Sequence, residues 1–187
     1  KNKILLLKII VASIPVMLVG LILIQTNLIE KIRNTEIIGW TTLIFGVLLY
    51  LSDKYKLEKK IDTDFNYKSA VFIGLFQVLS LVPGVSRSGI SITAARFLKF
   101  KRTDAVKISF LLSIPTLGAV SIFGLSNIFM STNLSFTSLN LISIFFSFII
   151  SLITINYFLR YVDNFSLNIF VIYRIFLGLI LLFIAYL

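Results

Sequence analysis

Long apolar runs separated by short polar intervals organise the chain. Lys3 to Gln25 is apolar apart from Lys8 near one end, Ile37 to Leu51 follows, and Ile108 to Phe129, Leu141 to Leu159 and Leu167 to Leu187 repeat the pattern. Most of these runs approach the roughly 20 residues with which a helix crosses ~30 Å of hydrocarbon, so each predicts a spanning helix. Pro15, Gly20 and Pro115 lie inside them, as membrane helices tolerate. The polar intervals Thr26 to Asn34, Ser52 to Lys68 and Ser131 to Asn140 predict links, the second being a lysine-rich solvated loop.

Ala70 to Leu98 breaks the pattern. It is apolar and long enough to span once, but Pro83-Gly84 and Gly89 interrupt it, with Ser86, Arg87 and Ser88 between. Its two flanks are both basic: Lys54, Lys56, Lys59, Lys60 and Lys68 before, Lys99, Lys101, Arg102 and Lys107 after. Short cytoplasmic loops collect Lys and Arg. A crossing would force one cluster outside, whereas a hairpin over about residues 69–98 that enters and returns keeps both inside. The chain then reads as an all-α polytopic membrane protein, a single transmembrane domain over 1–187 with about five spans and one re-entrant helix-loop-helix hairpin. Lys1, Lys3 and Lys8 place the first end in the cytoplasm, and the Ser131 to Asn140 link and the C-terminus outside.

Composition agrees. With 58% hydrophobic and 14% charged residues the chain has too little polar surface to coat a soluble core. The absence of Cys and His removes disulfides, thiolate metal sites and the usual neutral-pH base. The net charge of +10 follows the membrane topology and needs no nucleic-acid partner. The chain opens on Lys1 with an apolar run almost at once, too long for a signal peptide, which predicts a fragment that begins with a span.

The break carries the chemistry. In Val82-Pro83-Gly84-Val85-Ser86-Arg87-Ser88-Gly89-Ile90-Ser91, a proline ends one half-helix, glycines permit tight backbone, and hydroxyls surround one arginine. A half-helix starting near Ser88 points free N–H groups and the positive end of its dipole into the break. Arg87 at membrane depth costs roughly 2.5–3.5 kcal/mol and calls for an anion. A guanidinium fork grips two phosphate oxygens, and Ser86, Ser88 and Ser91 can donate hydroxyls, Ser91 facing the ligand from the first helical turn. The structural alternative is small-residue helix packing, with Arg87 paired to a carboxylate of another helix. Arg174, inside the last run, is either a site residue or a structural ion-pair partner, the second being favoured, while Arg96 snorkels to the interface. All eight Asp and Glu fall in or beside the polar links, which leaves no carboxylate in the membrane interior to serve as base or metal ligand.

Pro83-Gly84-Val85-Ser86-Arg87-Ser88-Gly89 resembles the P-G-x-S-R-S-G signature of the undecaprenyl-diphosphatase family, the bacitracin-resistance proteins. Phe76-Gln77, Ser109 to Pro115, Ile14-Pro15 and Ile172-Tyr173-Arg174 resemble further family blocks in order, so the likeness covers the whole chain. It implies hydrolysis of undecaprenyl diphosphate to the monophosphate carrier of cell-wall synthesis, in a bacterial inner membrane protein built on inverted repeats. It implies catalytic roles for Arg87 and Ser86, substrate binding by Gly84, Ser88, Gly89 and Ser91, with Ser91 where the family usually has Thr, and a polyprenyl diphosphate lipid as partner. It further implies a divalent cation, Mg²⁺ or Ca²⁺, with no metal ligand in this sequence. The family's N-terminal glutamate, serine and histidine motif is absent, so the chain reads as the C-terminal two-thirds of such an enzyme. A lipid-phosphate flippase or anion transporter could use the same broken-helix site.

Overall fold

A computed structural model of the chain describes residues 2–26, 32–54, 58–130 and 138–187. The centres of the three predicted links, residues 27–31, 55–57 and 131–137, lie outside the described residues. Among the described residues the structure is helical without strands: α1 (Asn2–Thr26), α2 (Thr35–Asp53), α3 (Ile61–Asp64), α4 (Tyr67–Val78), α5 (Arg87–Phe97), α6 (Arg102–Met130), α7 (Ser138–Asn164) and α8 (Asn168–Tyr186). Five of them, α1, α2, α6, α7 and α8, are long and apolar enough to cross a membrane. Each carries one predicted apolar run; α1, α2, α6 and α7 continue past its ends, whereas α8 stops one residue short of it at each end.

Between α2 and α6 lies the predicted hairpin. Asn66 caps α4 by accepting the Ser69 N–H at 2.8 Å, and a 3₁₀ turn, Leu79–Leu81, carries the chain to Pro83 before α5 returns. At ~1.5 Å rise per residue the two arms are roughly 16–18 Å long, about half of what a crossing needs. Their outer ends meet: Lys59 N–H donates to Lys99 C=O at 3.1 Å, and Lys101 N–H donates back to Lys59 C=O at 3.0 Å. Entry and exit therefore lie on one face. Phe65 and Phe100 pack edge to face beneath this closure, and both are buried, as is Ile61. The Ser52 to Lys68 link is thus not wholly solvated: its apolar residues plug the base of the hairpin.

The hairpin sits in a sleeve of spans. Ala12 of α1, Ile73 and Ala95 of the hairpin, and Ile108 and Leu112 of α6 form its core. Gly74 lets α4 approach α1, since a Cβ there would strike the Ala12 carbonyl oxygen. On the other side α2 and α8 pack through small residues, a Cβ at Gly178 meeting Leu43 Cγ at 2.7 Å and the Gly39 oxygen at 3.1 Å.

The basic end of the sleeve is tied by one carboxylate. Asp53, at the end of α2, pairs with Arg96 Nη2 at 3.0 Å and with Arg102 Nε at 2.8 Å, and accepts the Leu167 N–H at 3.3 Å. Arg96 also donates to the Phe100 and Asp53 carbonyls, each at 3.0 Å. Arg96 is 3% exposed, so the expected snorkelling does not occur. An inward-facing position on α5 with a carboxylate opposite it holds the guanidinium inside.

α5 ends in a Schellman arrangement, with Lys99 N–H bonded to Arg96 C=O and Phe100 N–H to Ala95 C=O. Lys99 occupies its left-handed position at φ 71°, where glycine is favoured. Lys99→Gly is expected to stabilise the protein by about 1 kcal/mol, a rise of about 3 °C in thermal unfolding in detergent. A lower midpoint would show that the lysine side chain contributes more than its backbone strain removes.

Candidate anion site at the hairpin turn

The turn between the two arms is shaped from outside. Gly84 adopts φ +89°, and a Cβ there would meet Ile38 O at 2.7 Å, so the chain passes against α2 where only glycine fits. Thr41 Oγ1 donates to the Pro83 carbonyl at 2.6 Å and Thr42 Oγ1 to the Gly84 carbonyl at 3.3 Å. Arg174 Nη2, from the middle of α8, donates to the same Gly84 oxygen at 2.9 Å. The turn's acceptors are thereby drawn towards α2 and α8, leaving donors to dominate the α5 side.

Ser86 supplies the switch into α5. It holds φ 68°, rare for a residue with a Cβ and worth of order 1–3 kcal/mol of strain, and its Oγ caps the helix by accepting the Gly89 N–H at 3.3 Å. Ser88 follows, exposed, with its hydroxyl 3.5 Å from that of Ser86. Arg87 and Ser88 stand in the first turn of α5, where backbone N–H groups have no acceptor within the helix. Two exposed hydroxyls and a helix start thus converge on one spot.

Two arginines approach it from different sides. Arg87 is half-buried, and its Nη1 donates to Thr116 Oγ1 of α6 at 3.0 Å. Arg174 is 8% exposed, and a Cβ on Gly89 would lie 2.7 Å from its Nη1, so its guanidinium lies against the start of α5. Neither has a carboxylate partner among the described residues, where Asp53 is the acid found in ion pairs. A cavity of about 540 Å³ opens beside the turn, with Gly84, Ser86, Ser88, Gly89 and Arg174 at its polar end. Ile38, Phe158, Phe170 and Leu177 are among its apolar walls.

Residues 1–180, which include the whole turn, match the family described as bacitracin resistance protein BacA. The chain belongs to this family. Among its relatives, the undecaprenyl-diphosphatase of Pelagibacter ubique is 50% identical over 186 residues, which is 99% of this chain and 72% of that protein. Those of Jannaschia sp. and Teredinibacter turnerae are 40% and 44% identical over 95% and 94% of this chain, and the chain spans 66% of each.

In this BacA family member the structure brings Gly84, Ser86, Ser88 and Gly89 to the cavity and sets Arg87 beside it, facing α6. Ser91 is placed otherwise. It is 1% exposed and its Oγ donates to the Arg87 carbonyl at 3.0 Å, the back-bond a helical serine makes to the preceding turn. Its hydroxyl is spent within α5 and does not face the cavity. Arg174 is likewise not the structural ion-pair partner favoured from sequence, among the described residues, but part of the cavity wall. Thr41, Thr42 and Thr116 carried no signal, since a threonine in an apolar run reads as a packing residue until its neighbour is known. Arg174 carried one: a charge in mid-span is a functional residue by default.

Proposed function

We propose that the whole protein is an undecaprenyl-diphosphatase of the bacterial inner membrane, and that the Pro83 to Ser91 turn holds the diphosphate. Water adds to the terminal phosphorus, the bridging P–O bond breaks, and inorganic phosphate leaves the lipid monophosphate. Phosphoryl transfer of this kind proceeds largely through positioning and charge stabilisation. Arg87 and Ser86 would neutralise and orient the terminal phosphate, and Ser88, with the backbone at Gly84 and Gly89, would complete the cradle. Ser91 has no direct part. The observation that carries the proposal is the cavity itself, cationic and hydroxyl-lined at one end, apolar elsewhere and set among membrane-spanning helices. That polarity suits an amphiphile with a phosphate head and an isoprenoid tail.

A divalent cation, Mg²⁺ or Ca²⁺, does not fit the residues at the turn. They offer guanidinium groups, hydroxyls and carbonyls already bonded to donors, and among the described residues no cluster of three or more acids exists to hold a metal. A general base is likewise not among the residues described there. The part taken by this chain is to bind, orient and stabilise charge.

In detergent micelles the full-length protein is expected to release inorganic phosphate from undecaprenyl diphosphate, whereas the 187 residues alone bind without turnover. Measurable turnover by the 187 residues would show that they contain a general base of their own. A transporter reading draws on the broken hairpin, a device shared with transporters. Movement of labelled substrate across sealed vesicles, with no phosphate released, would establish that reading and remove the first.

A further inference from the structure

We propose that Thr116 of α6 is a positioning residue for Arg87, its hydroxyl fixing the guanidinium beside the turn without neutralising it, an inference that rests on the diphosphatase reading above. Arg87 Nη1 donates to Thr116 Oγ1 at 3.0 Å, from the start of α5 to the middle of α6. Among the described residues this is the hydrogen bond of the Arg87 side chain, and no carboxylate there pairs with it. A side chain with this many rotatable bonds spreads over several staggered rotamers unless something holds it.

The hydroxyl is itself oriented. Thr116 is buried, and its Oγ1 donates back along α6 to the Leu112 carbonyl at 2.9 Å, with the Ser113 carbonyl at 3.1 Å. A hydroxyl has one proton, so with that proton turned onto α6 it is lone pairs that meet Arg87. The branched Cβ restricts χ1 and holds the arrangement. Two turns earlier on α6, Ser109 Oγ donates to the Ser88 carbonyl at 3.4 Å. α6 thus registers both the backbone and the arginine of the α5 start.

A neutral acceptor suits this place. A carboxylate would grip the guanidinium more firmly, as Asp53 grips Arg96 at 3.0 Å, but it would compete with a phosphate for the same positive charge. The threonine satisfies one nitrogen and leaves the charge to the ligand. Nε and Nη2 of Arg87 have no partner among the described residues, and neither is buried without one. Two adjacent nitrogens of the fork therefore remain available to phosphate oxygens, with their direction set from α6. A misdirected fork would still attract the anion but would stabilise the transition state less well.

The test is a double-mutant cycle on the full-length protein in micelles, read as phosphate release from undecaprenyl diphosphate. Thr116→Val, which keeps the shape and removes the acceptor, is expected to lower kcat about 10- to 100-fold, as loss of a charge-assisted hydrogen bond does, with KM within about threefold. Thr116→Ser keeps the hydroxyl on a less restricted χ1 and should restore kcat to within about threefold of wild type. In an Arg87→Ala background, followed at single turnover with enzyme in excess, Thr116→Val should change the rate by less than about twofold, because the threonine acts through the arginine. A similar loss in both backgrounds, with a lower unfolding temperature, would make Thr116 a packing residue and overturn the proposal. Thr116→Val with kcat within about threefold of wild type would overturn it too, while leaving the diphosphatase reading standing. A wild-type protein that releases no phosphate would remove that reading and the proposal with it. If Thr116→Val does not fold, Thr116→Ala is read through the same cycle by the same criteria.

Discussion

Arg87→Ala is expected to lower kcat for undecaprenyl diphosphate by about 1,000-fold or more while leaving the unfolding temperature unchanged or slightly raised. On the proposed reading the loss follows from removing a positive charge beside the phosphoryl group in a low-dielectric site, where such arginines and comparable donors contribute factors of this size. Preserved stability follows from the bonds Arg87 makes. Among the described residues its side chain bonds the Thr116 hydroxyl, which also donates to Leu112 C=O at 2.9 Å and so stays satisfied without it. Removing a guanidinium from membrane depth relieves a cost of roughly 2.5–3.5 kcal/mol. Arg87→Lys is expected to recover little, since an ammonium cannot grip two phosphate oxygens at once. A variant that lost activity and stability together would mark Arg87 as a structural residue. One that kept turnover within tenfold would remove it from the chemistry.

Asp53→Ala is expected to produce the largest loss of stability of any substitution away from the turn. It would take the carboxylate from Arg96, which is buried, and from Arg102, whose side chain is 37% exposed, and leave the Leu167 N–H without its acceptor. Breaking a buried pair from one side costs about 3–5 kcal/mol, which for a chain of this size is a fall of roughly 10 °C in the unfolding midpoint. Arg102→Ala should cost far less, because solvent screens its pairing. Activity should fall with Asp53→Ala as well, through the base of the hairpin. A midpoint within 2 °C of wild type would show that the knot is dispensable.

The sequence made the hairpin legible for two reasons. Pro83-Gly84 ends a helix by local backbone chemistry, and Lys residues on both flanks report sidedness without any tertiary knowledge. The spans were legible by length and apolarity, and their ends were misplaced by a few flanking residues. Asp53, Arg96, Arg174 and Ser91 were not legible in the same way. Asp53 sits at the edge of a lysine-rich link, and its partners are 43, 49 and 114 residues away. Arg96 and Ser91 depended on which face of α5 turns inward, and a short helix packed on several sides has no polar stripe to announce it. Arg174 could be recognised as unusual, but whether an acid or the turn stood opposite it was decided by the antiparallel packing of α2 and α8. Local chemistry was written in the chain; pairwise chemistry across helices was not.

The length of the hairpin's arms has a consequence for the lipid. A tip held roughly 16–18 Å from one face of a hydrocarbon slab ~30 Å thick stands about as far from one leaflet as from the other. Depth by itself therefore gives the turn no preference between them. Which leaflet delivers its headgroup is set by where the gap beside α2, α7 and α8 opens, and a diphosphate arriving from either surface has to exchange its hydration shell for the hydroxyls, helix start and guanidinium groups at the tip.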